Sequence, residues 1–138
     1  MSEIYDLVKA YFDAQGLFYN EIEGRKHLVL CFSDDDTDAG DFVHLMFDRN
    51  SVQFGMGRLF ELTDENIGIA FRTCSDMNRN LRFVKFHVSR ENESILAIAD
   101  MVCNTESCAE QVYDLMMVFM SNAIQGYSTF GERLPVIM

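Results

Sequence analysis

The stretch from Cys108 to Ile124 places apolar side chains around roughly 200° of a helical wheel, about twice the ~100° stripe of an ordinary surface helix. Leu115, Cys108, Phe119, Val112 and Ala123 form one stripe, and Met116, Ala109, Met120, Tyr113, Ile124 and Met117 widen it. One sheet face cannot cover so broad an arc. Either the residues that follow the helix fold back over it, bringing Phe130, Leu134, Val136 and Ile137, or another molecule does. Flexible methionines tolerate varied partner shapes, so Tyr113, Met117, Met120 and Ile124 are the candidate partner-binding residues, facing a second subunit or a client peptide.

The helix, expected from a cap at Asn104 or Thr105 to about Gly126, closes a longer pattern. Ser2 can cap a first helix in which Ile4, Leu7, Val8, Tyr11 and Phe12 share a face and Gly16 is the stop. Four strands in an antiparallel meander follow: Leu17 to Ile22, His27 to Ser33, Phe42 to Asp48 and Ser51 to Met56. In the last, Val52, Phe54 and Met56 point one way and Ser51, Gln53, Gly55 and Gly57 the other, so one sheet face meets a core and the other is lighter. A second helix is expected from near Thr63 to about Asn80, with Ile67, Ala70, Phe71, Cys74, Met77 and Leu81 on its apolar face and Asn78 among them. Strands Arg82 to Ser89 and Ser94 to Met101 make a hairpin before the last helix. The expected fold is α+β: helix, antiparallel strand meander, helix, two-strand hairpin, helix, with a single antiparallel sheet packed with helices. Residues 1–127 are expected to form one domain and 128–138 a C-terminal tail able to pack on it.

Charge narrows the partners. With 22 acidic and 11 basic residues the chain carries −11, which opposes nucleic-acid backbones and anionic lipid. The apolar run Leu115 to Met120 is far shorter than a membrane span, and the acidic start Met1-Ser2-Glu3 does not resemble a signal peptide, so the cytoplasm is the expected location. The span from Arg72 to Arg90 is nonetheless +4, against −15 for the rest. Within it Phe83-Val84-Lys85-Phe86 imitates the end of an RNA-recognition signature, but the preceding residues depart from it and an ordinary half-buried strand accounts for the pattern.

No motif for catalysis is present, and the chain is expected not to be an enzyme and to need no cofactor. His27, His44 and His87 each fall inside a strand, without a nearby nucleophile pattern. Asp34, Asp36 and Asp38 match the first ligands of a calcium loop, but Ala39 stands where glycine is needed and Leu45 where a bidentate glutamate is needed. An exposed acidic loop without metal is the expectation. Cys31, Cys74, Cys103 and Cys108 lack metal-ligand spacing and read as small buried hydrophobes with free thiols in a reducing compartment.

The run Met77-Asn78-Arg79-Asn80-Leu81-Arg82-Phe83-Val84-Lys85-Phe86-His87-Val88 resembles the most recognisable segment of the YbjN-like family of bacterial sensory transduction regulators, where a helix leads into a strand reading roughly R-F-V-K-F. Tyr11 to Tyr19 is similar to that family's entry from helix to strand. The resemblance implies the type III secretion chaperone-like fold and a noncatalytic module that binds protein, as a homodimer. It carries no site residues over, because Asn78 and Phe83 to Phe86 look like fold determinants, with Asn78 making a structural hydrogen bond to the following strand. Two alternatives stand beside the regulator: a type III secretion-type chaperone holding an unfolded effector segment, and a small-ligand sensor domain.

Overall fold

The computed structural model describes residues 3–33, 40–103 and 108–134, with the side chains of residues 33, 40 and 41 left aside. Ser2, the calcium-like loop at Asp34 to Asp38 and the proposed caps Asn104 and Thr105 lie outside the described residues.

Helix α1 (Ile4–Gln15) buries Val8 and Phe12, one turn apart on its inner face. Its N-cap is Glu3, not Ser2, and it ends at Gly16, whose φ of 73° is the left-handed conformation that glycine adopts without a Cβ penalty. The Leu17 N–H returns to the Phe12 carbonyl, and the chain turns into the sheet.

Six strands form one antiparallel sheet: β1 (Asn20–Glu21), β2 (His27–Ser33), β3 (Gly40–Phe47), β4 (Ser51–Leu59), β5 (Lys85–Ser89) and β6 (Ser94–Val102), in the spatial order β1-β2-β3-β4-β6-β5. The meander is as expected in order, with three strands differing at their ends: β3 starts two residues earlier than expected, at Gly40, and stops at Phe47, β1 is shorter and β4 longer. β1 is cut to two residues because Tyr19 turns inward onto Phe12, their ring centroids 6.2 Å apart. β4 runs on to Leu59 because β6 pairs along its whole length, from Ser51 opposite Val102 to Leu59 opposite Ser94.

Helix α2 (Ile67–Asn80) connects β4 to β5, and the hairpin β5–β6 then returns β6 to the free edge of β4. The helix begins three to four residues later than the sequence suggests. Thr63 to Asn66 is spent on a turn in which Asn66, almost fully buried, accepts from the Thr63 N–H at 2.7 Å and donates to the Glu61 carbonyl at 2.7 Å. Phe71, expected on the apolar face, is 56% exposed, while Thr73 is buried with its hydroxyl donating to the Ile69 carbonyl.

Helix α3 (Cys108–Arg133) runs seven residues past its expected end. What reads as the start of a tail is core: Tyr127 and Phe130 are fully buried and Leu134 nearly so. The Tyr127 hydroxyl lies 3.0 Å from the Met56 carbonyl and 2.9 Å from the Ile95 carbonyl, which ties the helix to the middle of the sheet. Gly126 is required here. A Cβ at this position would stand 2.2 Å from Phe86 Cζ, so only glycine lets α3 approach β5 this closely. The Phe86 ring packs at 5.7 Å against Tyr127 and 5.4 Å against Phe130.

The three helices lie on one side of the sheet, above a layer that includes Leu28, Leu30, Val43, Leu45, Val52, Phe54, Ile95 and Ala97. α3 packs against both α1 and α2 as well as β4 and β6. That placement explains its wide apolar arc: a helix with neighbours on two flanks and a sheet beneath needs apolar surface on three sides.

Two expectations for cysteine are corrected. Cys103, just past β6, and Cys108, at the start of α3, are joined in a buried disulfide with Cα atoms 5.6 Å apart, within the 4.4–6.8 Å that such bonds span. The sequence spacing did not require this pairing; the return of α3 over the sheet end produces it. Cys74 is buried and free, as expected, and burial pushes its thiol up to about 11, but Cys31 is exposed.

Candidate functional site

The segment from Met77 to Val88 is a structural lock. Asn78 Nδ2 donates to the Phe86 carbonyl at 3.0 Å, and the Phe86 N–H donates to Asn78 Oδ1 at 2.7 Å. β5 is the last strand of the sheet, so at Phe86 the amide stands where a further strand would pair, a device that blunts an edge. The Lys85 ammonium donates to the Asn78 carbonyl at 2.8 Å and to the Leu81 carbonyl, closing the C-terminal end of α2. Phe83 packs edge-on against Phe54 at 6.0 Å. Lys85 and Phe83 are therefore committed internally, and the segment does not present aromatic rings as a stacking platform for bases.

Of the four residues expected to meet a partner, the structure separates two from two. Tyr113 is half-buried, its ring 5.9 Å from Tyr11 and 6.4 Å from Phe12 of α1. Met120 is half-buried against the core. Met117 and Ile124 stand 37% and 38% exposed on the outer ridge of α3, with Val118 beside them. This ridge is narrow.

A broader, charge-poor surface lies on the opposite side of the sheet, where none of the described helices covers it. One cross-strand row reads Asn20, Val29, His44, Gly55, Ile98 and Lys85, and the next reads His27, Met46, Gln53 and Asp100. Gly57, Leu96 and His87 form the start of a third. Phe42, Leu59 and Val102 rise around this centre at 53%, 79% and 68% exposure. Open faces of antiparallel sheets are ordinarily polar. Here, in a chain of −11, the three rows carry one acid, Asp100, and one base, Lys85, whose ammonium is already bonded to backbone. Alternation in β4 revealed that this face would be light. Its apolar character depends on the register that sets β2, β3 and β6 beside one another, which no single strand discloses.

The histidines of this face form a pair. His27 Nε2 and His44 Nδ1 lie 2.9 Å apart, a hydrogen bond whose direction follows the tautomers. Burial holds both imidazoles below their usual range, and for His27 the neighbouring His44 and Arg25 add to it. The third histidine, His87, is exposed on β5.

A second polar centre joins α1 to β1. Glu21 Oε1 accepts from the Tyr5 hydroxyl at 2.7 Å and from Lys9 Nζ at 3.0 Å. These bonds hold the Glu21 carboxyl below the usual carboxylate range, while burial and the Glu21 bond push the Tyr5 phenol up to about 12. Near it, Glu3, Tyr5, Lys26, Phe47, Asp48 and Arg49 line a pocket of about 170 Å³, smaller than the ~300–1,000 Å³ of typical small-molecule sites. Among the described residues no three His, Cys, Asp or Glu side chains could together hold a metal, and no helix is long and apolar enough to cross a membrane.

Comparisons with known proteins agree with this architecture. The profile of the YbjN family, described as "putative bacterial sensory transduction regulator", matches residues 5–132. The crystal structure of YbjN from E. coli, described as "a putative transcription regulator", superposes with a TM-score of 0.58 at 15% identity, covering 88% of this chain and 92% of that one. An uncharacterized protein from Methanothermobacter thermautotrophicus superposes with a TM-score of 0.61 at 12% identity, covering 96% and 99%. At these identities the likeness shows a shared fold. No curated protein matches the sequence.

Proposed function

The chain belongs to the YbjN family, and from that premise we propose that it is a noncatalytic protein-binding module whose open sheet face takes a second copy of itself. The observation that carries this reading is the charge-poor centre of that face, with Val29, Leu96 and Ile98 in it, in a protein of net charge −11. Two chains of −11 repel at long range, so self-association needs a contact region where charge is nearly absent. The rows through Val29, Ile98 and Leu96 supply one. Its size fits as well. The whole sheet face, strands of two to nine residues about 4.8 Å apart with about 3.3 Å per residue, presents roughly 600 Å² in projection, the order of the ~800 Å² of accessible surface that each partner of a standard interface buries. Gly55 and Gly57 keep the floor flat, which suits the face-to-face stacking of sheets.

The ridge of α3 supports a second reading, in which Met117, Val118 and Ile124, flanked by Tyr113 and Met120, receive a regulatory partner or a client peptide as a secretion-type chaperone would. Light scattering separates the two. For wild type the first reading expects a mass near twice the 15.9 kDa of the chain. Phe42→Asp combined with Ile98→Asp should return it to a single chain mass, and Met117→Ser with Ile124→Ser should leave it unchanged. A wild type that stays at the single mass up to hundreds of micromolar overturns self-association, and a loss confined to the α3 variant moves the interface to the ridge.

A further inference from the structure

We propose that the His27–His44 pair is a proton-operated switch of self-association, which on acidification releases the open sheet faces of two copies from each other. The inference rests on the reading that this face takes a second copy. The pair sits inside the face. His44 shares a row with Val29 and Ile98, and His27, two residues before Val29 on β2, is its diagonal neighbour across the β2–β3 pairing. Diagonal neighbours of an antiparallel pair are within reach of side chains this long. The rings are tilted by 58° with centroids 5.1 Å apart, and His27 Nε2 and His44 Nδ1 face each other at 2.9 Å along one hydrogen bond. Both residues are half-buried in the single chain already.

A hydrogen bond between two ring nitrogens needs one donor and one acceptor. The neutral pair satisfies it, and so does a pair with one extra proton on an outer nitrogen, but two imidazolium rings set N–H against N–H. Acid therefore acts twice. The first proton puts a cation into a region that a second copy must strip of water, and the second breaks the pair. Burial holds both imidazoles below their ordinary 6.5, so these protons are taken up on the acid side of that value. Arg25, in the turn before β2, adds positive charge at His27, and no carboxylate is among the groups that act on either ring. The residues beside the pair on β1 and β4 are uncharged: Asn20 opposite Val29, Ile22, whose N–H donates to the His27 carbonyl, and Gly55 opposite His44. Strand alternation puts four titratable groups farther out, Cys31 on β2, Asp48 past the end of β3, His87 on β5 and Asp100 on β6, together with the Lys85 ammonium already bonded to backbone. The Asp48 carboxylate accepts from the Arg49 N–H. Asp100 stands three strands from His27, about 14 Å, beyond the Debye length at physiological salt.

The direction separates this switch from general electrostatics. Toward its pI of about 4.5 the chain loses net negative charge, and the weaker repulsion between copies favours association as pH falls. The histidine pair acts the other way. Sedimentation equilibrium of the full-length protein at about pH 7.5 and about pH 5.5, at constant ionic strength, should show the dissociation constant rising about tenfold or more on acidification, the change that one unit of pKa lowering on association produces. His27→Gln combined with His44→Asn places an amide near each facing ring nitrogen and removes both titrating groups. This double variant should stay associated at the lower pH, and His87→Gln should keep the loss seen in wild type. A readout free of substitutions follows from linkage: where protons weaken association, association lowers the titration of the pair, so the ring resonances of His27 and His44 should titrate at lower pH in concentrated protein than in dilute protein. Association that holds or tightens on acidification, a loss that persists in the double variant, a titration independent of concentration, or a loss accompanied by an unfolded circular dichroism spectrum overturns the switch and leaves self-association standing. A wild type of single chain mass at the higher pH overturns both.

Discussion

At the scale of single residues, Asn78 is the position where sequence and structure meet most closely. A lone amide on an apolar helix face has to be satisfied, and the strand that follows was the nearest candidate. The structure shows the bond in both directions, to the N–H and the carbonyl of Phe86. Asn78→Ala leaves both groups of an edge strand unpaired and should cost about 1–3 kcal/mol, read as a lower urea midpoint at unchanged slope. The Glu21 centre predicts a pH dependence. Its carboxyl is held low in the fold, so its contribution is present above the ordinary value of 4.5 and is lost as pH falls through the folded value. The melting temperature of Tyr5→Phe should therefore lie below that of wild type at pH 7, with the gap closing as pH falls well below 4.5. Neither Glu21 nor the His27–His44 pair was legible as a site. The partners of Glu21 lie 12 and 16 residues away and the histidines 17 apart, separations fixed by register and helix docking and not by any local pattern.

At the scale of elements, periodicity located every helix and strand and misjudged several ends. The error at α3 has a physical cause. Gly126 reads as a helix stop, because glycine lowers helix propensity and often closes helices. Here it is used instead for a close approach to Phe86, and tertiary packing carries the helix on to Arg133. A chain ending at Gly126 loses Tyr127 and Phe130, two fully buried aromatics, and should fail to fold cooperatively; a broad or absent thermal transition in circular dichroism checks this. Had residues from 127 onward been a dispensable tail, truncation would leave the transition intact. The link between β6 and α3 makes a second prediction. In unreduced, denatured protein two thiols should react, those of Cys31 and Cys74, and not four. Because the disulfide closes a short loop, its reduction should cost only about 2 kcal/mol.

At the scale of the whole molecule, the fold is asymmetric in what it covers. All three helices crowd one side of a six-stranded sheet, and none of the described residues forms a helix on the other. The −11 of the chain made a general statement about repulsion, while the structure shows where that repulsion is relaxed: an open face with an apolar centre and two charges across its three rows. The wide apolar arc of α3, which pointed to an outside partner, is largely consumed by α1 and α2, since the sequence could count apolar positions but not the number of neighbours they would receive. Among the described elements it is the second face of the sheet that no helix covers. The measurement that bears most directly on this account is a dilution series of methyl-labelled protein followed by nuclear magnetic resonance. Self-association through the open face predicts concentration-dependent shifts at the methyls of Val29, Leu96 and Ile98, with those of Met117 and Ile124 unmoved. Shifts confined to Met117 and Ile124, or none from micromolar to millimolar concentration, would contradict it.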